Sequence, residues 1–250
     1  MYKLSVLNIV IEAFWQPWKY KLRFFNMLAL PLAMVVGITT IWSEVNVENI
    51  SFNLFFYLIY IFSVSYFAVK CHRFILISNN TPSTNIPMIK RVIAFLLWIF
   101  VVYIVVGIVL TIFMTIGMNT FADAALMKAS YYISDNNFSL LKLLLILPAG
   151  YILARLSLVF PAIAIDKRAS MKWAWKASQN NGLRMLVLIG VLPWMTTILL
   201  NLLWRENGTM IEYVFLSILG YIVLAIEVFI LSIAYREIQG YEIQSKRLSD

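Results

Sequence analysis

The run V-I-A-F-L-L-W-I-F-V-V-Y-I-V-V-G-I-V-L-T-I-F-M-T-I-G-M, from Val92 to Met118, contains no charged residue. As a helix rising 1.5 Å per residue it is about 40 Å long, enough to cross a hydrocarbon layer of about 30 Å with some tilt. A surface helix of a soluble domain keeps one polar face, and this run has none. Five more apolar runs of spanning length accompany it: Phe24 to Trp42, Phe52 to Val69, Leu143 to Ile165, Met185 to Trp204 and Tyr213 to Tyr235. All are too long for the roughly ten-residue strands of a membrane barrel. Across the 250 residues, 62% are hydrophobic, only 13% are charged and the mean hydropathy is +0.84, well outside the range of soluble domains. The expected fold is all-α integral membrane, a single domain over residues 1–250 with six transmembrane helices and cytoplasmic-side amphipathic interfacial helices.

Lysine and arginine orient these spans. The N-terminal segment, Lys70 to Arg91, Asp166 to Arg184 and the C-terminal segment hold 16 of the 20 basic residues. The three alternate connections hold only Lys128, Lys142 and Arg205. This alternation places both termini on the cytoplasmic side by the positive-inside rule. The net charge of +8 thus reads as a topology signal and as attraction to anionic headgroups, not as a nucleic-acid footprint.

Most catalytic classes lack their residues. One cysteine, Cys71, allows no internal disulfide, and one histidine, His72, leaves a transition metal almost without ligands. The two read as an interfacial pair at the end of the second span rather than as a catalytic dyad, because no orienting third group is near them in sequence. There is no phosphate-binding glycine loop and no nucleophile elbow. No catalytic residue, metal or cofactor is therefore expected. The sequons at Asn49, Asn137 and Asn207 read as chance, and the connection from Asn119 to Asn137 is long enough for a short helix.

The segments leading into the odd-numbered spans are amphipathic. Between Lys3 and Lys19, Leu4, Leu7, Ile11, Phe14, Trp15 and Trp18 recur at helical spacing, opposite Ser5, Asn8, Glu12, Gln16 and Lys19. Between Ser170 and Asn181, Met171, Ala174, Trp175 and Ser178 share a face, and Lys172, Lys176, Gln179 and Asn180 are polar. Both stretches read as helices lying in the membrane surface, with Trp15, Trp18, Lys172, Trp173 and Lys176 as headgroup contacts. Aligning Ala13 with Ala174 also aligns Leu22 and Arg23 with Leu183 and Arg184, an indication of an internal repeat of surface helix plus two spans.

The stretch R-L-S-L-V-F-P-A-I-A-I-D-K-R-A-S-M-K-W-A-W-K-A-S-Q-N-N-G-L-R-M-L, from Arg155 to Leu186, resembles the signature of YciC-like bacterial inner-membrane proteins. It is also similar to the membrane domain found beside some glycerophosphodiester phosphodiesterases. Pro161, Asp166, Ser170, Trp175, Asn181 and Arg184 stand at the family's positions, and the terminal pair Tyr235 and Arg236 is similar as well. The resemblance implies a bacterial cytoplasmic (inner) membrane address and a non-enzymatic role.

Arg155 and Glu227 are charges inside spans, where each costs about 2.5 to 3.5 kcal/mol on insertion scales and normally faces inward with a partner. Arg155 lies eleven residues before Asp166 and Glu227 nine before Arg236, which sets both at nearly one depth. They are expected to pair, aided by small residues at Gly150 and Ala154 on one span and Gly220 and Ala234 on the other.

Two functional classes fit. One is a non-enzymatic multi-pass protein acting in envelope or lipid homeostasis or assisting a transport complex, with the lipid bilayer, anionic lipids and a membrane protein as partners. The alternative is the permease subunit of an exporter driven by a separate ATPase. The stretch S-N-N-T-P-S-T-N-I-P, from Ser78 to Pro87, counts against the permease, because proline and asparagine disfavour the coupling helix that would dock an ATPase.

Overall fold

A computed structural model describes residues 3–44, 50–77, 86–121, 140–203 and 209–249. The asparagines of the three sequons, the connection after Phe121 and the stretch 78–85 lie outside the described residues. Ten α-helices follow one another there: α1 Val6–Lys19, α2 Lys21–Glu44, α3 Ile50–Leu76, α4 Met88–Phe121, α5 Leu140–Leu156, α6 Val159–Ala164, α7 Met171–Ala177, α8 Gly182–Leu186, α9 Leu192–Leu203 and α10 Met210–Ser249. A π-helical segment, Val187–Val191, joins α8 to α9.

Among the described residues five stretches are long and apolar enough to cross a membrane: Leu54–Leu76, Met88–Phe113, Ile146–Ala164, Gly182–Leu203 and Val214–Gly240. They coincide with the second to sixth expected spans. The first expected span, Phe24 to Trp42, falls on the 24-residue helix α2, which is not among the five. The spans differ in how much protein surrounds them. Within an 18-residue apolar window of each, 56% of the residues are buried in Ile146–Ala164, 17% in Met88–Phe113 and only 6% in Gly182–Leu203. The apolar surface left open on the last two, including Leu97, Phe100, Ile104, Leu199 and Leu202, is large. Water does not tolerate exposed apolar surface on this scale, so these faces are suited to lipid.

Helix α10 organises the packing, with α1, α2, α3, α6 and α9 all against it. Buried side chains concentrate toward one end, which carries Arg73, Arg91, Arg184 and Arg236 and is called here the basic end. Phe229 on α10 lies against Phe24 of α2 (6.3 Å between ring centroids) and stacks on Phe74 of α3 (5.7 Å, interplanar angle 29°). Phe95 of α4 meets Phe160 of α6 at 5.3 Å.

Local chemistry explains the interruptions. Pro161 has no N–H to give the Ser157 carbonyl, so Phe160 N–H takes it at 3.0 Å and the chain breaks between α5 and α6. The π segment precedes Pro193 in the same way, with Leu192 N–H bonding the Val187 carbonyl five residues back.

On helix α1 the expected stripe stays together apart from Leu4, and a second, buried stripe runs beside it. Ile9, Ala13 and Pro17 are its buried residues, and Leu4 just ahead of it is buried too, whereas Leu7, Ile11, Phe14, Trp15 and Trp18 are 47–68% exposed. The helix therefore carries two faces of use: a narrow one of mostly small side chains against α10, and a broad aromatic one turned away from the protein.

Candidate functional site

The conspicuous segment from Arg155 to Leu186 lies at the basic end, and its polar side chains bind the surface segments to the spans. Asp166 follows α6 in the left-handed conformation (φ 62°), the cap position where a short polar side chain is tolerated. Lys167 N–H bonds the Ala162 carbonyl at 2.9 Å across this turn. The Asp166 carboxylate is thereby held against the first turn of α4, where Arg91 Nε and Nη2 donate to its two oxygens at 2.8 and 2.9 Å. Arg73, in the last turn of α3, reaches the same carboxylate at 3.4 Å and the Ala164 carbonyl at 3.0 Å. The Arg91 and Asp166 side chains are 7% and 9% exposed, so one acidic group fastens three segments where water screens little.

Ser170 caps α7, its hydroxyl accepting from Trp173 N–H at 3.1 Å. At the other end of α7 lies Arg155. Its guanidinium donates to Ser178 Oγ at 2.9 Å, to Tyr151 Oη at 3.3 Å and, through a short contact, to the Trp175 carbonyl. It also sits 3.7 Å from the centroid of the Trp175 ring. The expected pair with Glu227 does not form. Glu227 Oε1 instead lies 2.7 Å from Thr196 Oγ1 on α9, which is also 2.9 Å from the Pro193 carbonyl. Equal depth fixes one coordinate only. Arg155 leaves α5 on the side facing α7, whose last carbonyls form the negative end of a helix and match a planar fork of donors.

The small-residue contacts differ from expectation as well. Ala154 and Ala234 are fully buried, but nothing lies within 4 Å of a Cβ placed on Gly220. Gly182 makes the close approach instead, since a Cβ there would stand 2.8 Å from carbons of the Tyr151 ring.

Asn181 and Arg184 hold the N-terminal segment from both sides. Leu4 N–H donates to Asn181 Oδ1 at 2.8 Å, and the Leu4 carbonyl accepts from Arg184. Arg236 on α10 adds a two-pronged ion pair with Glu12 of α1, 2.8 Å to each oxygen and largely exposed. Of the tryptophans, Trp15 and Trp18 are each 61% exposed, Trp175 is exposed beside Arg155, and Trp173 is half-buried against Tyr235 (5.9 Å). Lys172 and Lys176 are exposed.

Cys71 and His72 face the protein interior. Both are buried, and His72 Nδ1 lies 2.7 Å from Ser232 Oγ. The Ser232 hydroxyl gives its proton to the Val228 carbonyl, so it accepts from Nδ1–H. Sequence reasoning singled out Asp166, Trp175, Asn181 and Arg184 but missed their partners. Arg91 is 75 residues from Asp166 and Leu4 is 177 from Asn181, separations at which no local pattern connects them. Tyr151 was within reach, since it precedes Arg155 by four residues on one helix face.

Two of the three pairs aligned in the expected repeat share their burial, and the third, Arg23 exposed against Arg184 half-buried, does not. Ala13 and Ala174 are both fully buried, and Leu22 and Leu183 are 77% and 73% exposed. The helices they occupy differ in length, fourteen residues for α1 against seven for α7. Among the described residues no three His, Cys, Asp or Glu side chains gather as a metal site. No protein-family model, curated protein or solved structure matches this chain.

Proposed function

We propose that this chain is a non-enzymatic, multi-pass protein of the bacterial cytoplasmic membrane, of the YciC-like kind, acting in envelope or lipid homeostasis or assisting a transport complex. In this reading α2 is the first of six spans, both termini are cytoplasmic, and α1 and α7 lie in the cytoplasmic headgroup layer. The observation that carries it is the double-faced helix α1. Asn181 and Arg184 hold Leu4 just ahead of it, Arg236 holds its Glu12, and its aromatic face, with Trp15 and Trp18 at its centre, is left exposed by the described residues. An aromatic face held open at the basic end suits the boundary between headgroups and acyl chains. The polar groups of the Arg155 to Leu186 segment hold this arrangement in place, which supports a scaffold more than a reaction centre.

Reporter fusions test the topology. A reporter active only outside the cytoplasm is expected to work after Asn46 or Asn207 and to stay silent after Asn79 or Gln179; the opposite result at any of these sites overturns the six-span arrangement. Proteins and lipids that co-purify in mild detergent test the role. A reproducible envelope or transport partner supports it, and turnover of a co-purified small molecule by the isolated chain refutes it.

A further inference from the structure

A cleft of about 480 Å³ opens at the basic end, between the first turns of α4 and the turn that follows α6. One end is cationic, formed by Lys90, Lys167 and Arg168, all exposed and without an ion pair among the described residues. The floor is Arg91 with its partner Asp166, so the lining carries four cations against one anion, a balance of +3. The start of α4 adds the partial positive charge of a helix N-terminus, since Ile86 and Lys90 bracket its first residue, Met88. The other end is apolar. Lys90, Ala94 and Trp98 follow at four-residue spacing along α4 and reach about 12 Å into a span, with Ile163 opposite them.

The geometry points to a site for one anionic glycerophospholipid, its phosphate among Lys90, Lys167 and Arg168 and its first acyl carbons along Ala94, Trp98 and Ile163. A free phosphate would use only the cationic end. An acyl chain explains why that end opens onto an apolar wall descending into the span. The cations are held ready because Asp166 is already engaged by Arg91 and Arg73 and is not available to neutralise them. This inference rests on the membrane reading above and adds to it a ligand class and a place. It is distinct from any diffuse attraction of Lys172 and Lys176 to the bilayer surface, which lie on α7 and do not line the cleft.

Binding of dioleoylphosphatidylglycerol, dioleoylphosphatidylcholine and inorganic phosphate to the full chain in a neutral detergent, followed by native mass spectrometry, tests it. The wild-type chain is expected to hold the glycerol lipid at least about tenfold more tightly than the choline lipid, as several basic contacts of roughly fivefold each would give. The Lys90→Gln, Lys167→Gln, Arg168→Gln triple variant should lose that preference. The Lys172→Gln, Lys176→Gln variant should keep it within about twofold. Trp98→Ala should weaken both lipids severalfold while leaving the preference for the anionic one, a readout that mere loss of basic charge does not produce. The neutralised positions are exposed, and circular dichroism confirms that each variant is folded; the single variant Arg168→Gln, expected to lose several-fold, serves if the triple is not. Equal affinity for the two lipids, an unaltered preference in the triple variant, or an equal loss in the α7 variant overturns the site. Inorganic phosphate bound as tightly as the anionic lipid overturns its assignment to a lipid. Extraction of the chain from membranes by alkaline carbonate would refute the membrane reading itself, a failure separate from any of these.

Discussion

Replacing Arg155 by methionine removes a buried cation that has no carboxylate partner among the described residues, and the cost follows from its contacts. The side chain is 4% exposed and donates to Ser178, Tyr151 and the Trp175 carbonyl. Hydrogen bonds from a charged donor contribute about 1.5 to 3 kcal/mol each. A desolvated guanidinium over an indole adds about 2 kcal/mol. Against this gross gain stands the desolvation of the ion, several kcal/mol in real proteins. The abandoned acceptors also keep partial satisfaction, because Ser178 Oγ lies 2.8 Å from the Ala174 carbonyl and 3.2 Å from that of Trp175. The net destabilisation expected for Arg155→Met is about 2 kcal/mol, of the size typical for a single buried substitution. Double-mutant cycles, read from unfolding in mixed micelles by circular dichroism, then identify the partner. Arg155→Met with Trp175→Leu should couple by about 1 kcal/mol, whereas Arg155→Met with Glu227→Gln should be additive within about 0.5 kcal/mol. Coupling above about 1 kcal/mol to Glu227, with none to Trp175, would refute the placement of Arg155 on α7.

Three further outcomes are expected. At Asp166, Asn and Gly accept the left-handed backbone while Ala does not, so Asp166→Ala should unfold more easily than Asp166→Asn by about 1 kcal/mol; all three should lose about 3 kcal/mol by leaving Arg91 and Arg73 without their anion, and a chemical-denaturation series ranks them. Gly182→Ala should cost about 1 to 3 kcal/mol because its methyl displaces the Tyr151 ring, and most of that loss should vanish in a Tyr151→Leu background, with thermal melts as the measure. In chains retaining only Trp15 or Trp18, quenching should be stronger from lipids labelled near the headgroup than from those labelled at the chain end; equal quenching would remove α1 from the headgroup layer.

The sequence alone determined where helices run, because spanning length and apolar composition are local properties: the second to sixth expected spans recur as Leu54–Leu76, Met88–Phe113, Ile146–Ala164, Gly182–Leu203 and Val214–Gly240. The family-like stretch from Arg155 to Leu186 also singled out Asp166, Ser170, Trp175, Asn181 and Arg184, which bind this part of the chain together. Only the tertiary structure decided which groups meet. Depth along a span can be counted in residues, but the rotation of a helix about its own axis, about 100° per residue, is set by packing, and that rotation turned Arg155 toward α7 and Glu227 toward Thr196. Only the structure, likewise, showed which residues of α1 pack on the protein. In water the apolar side of a helix must face protein, but beside a bilayer lipid accepts it equally well, so Ile9, Ala13 and Pro17 could take the inner face while Phe14, Trp15 and Trp18 were left outside.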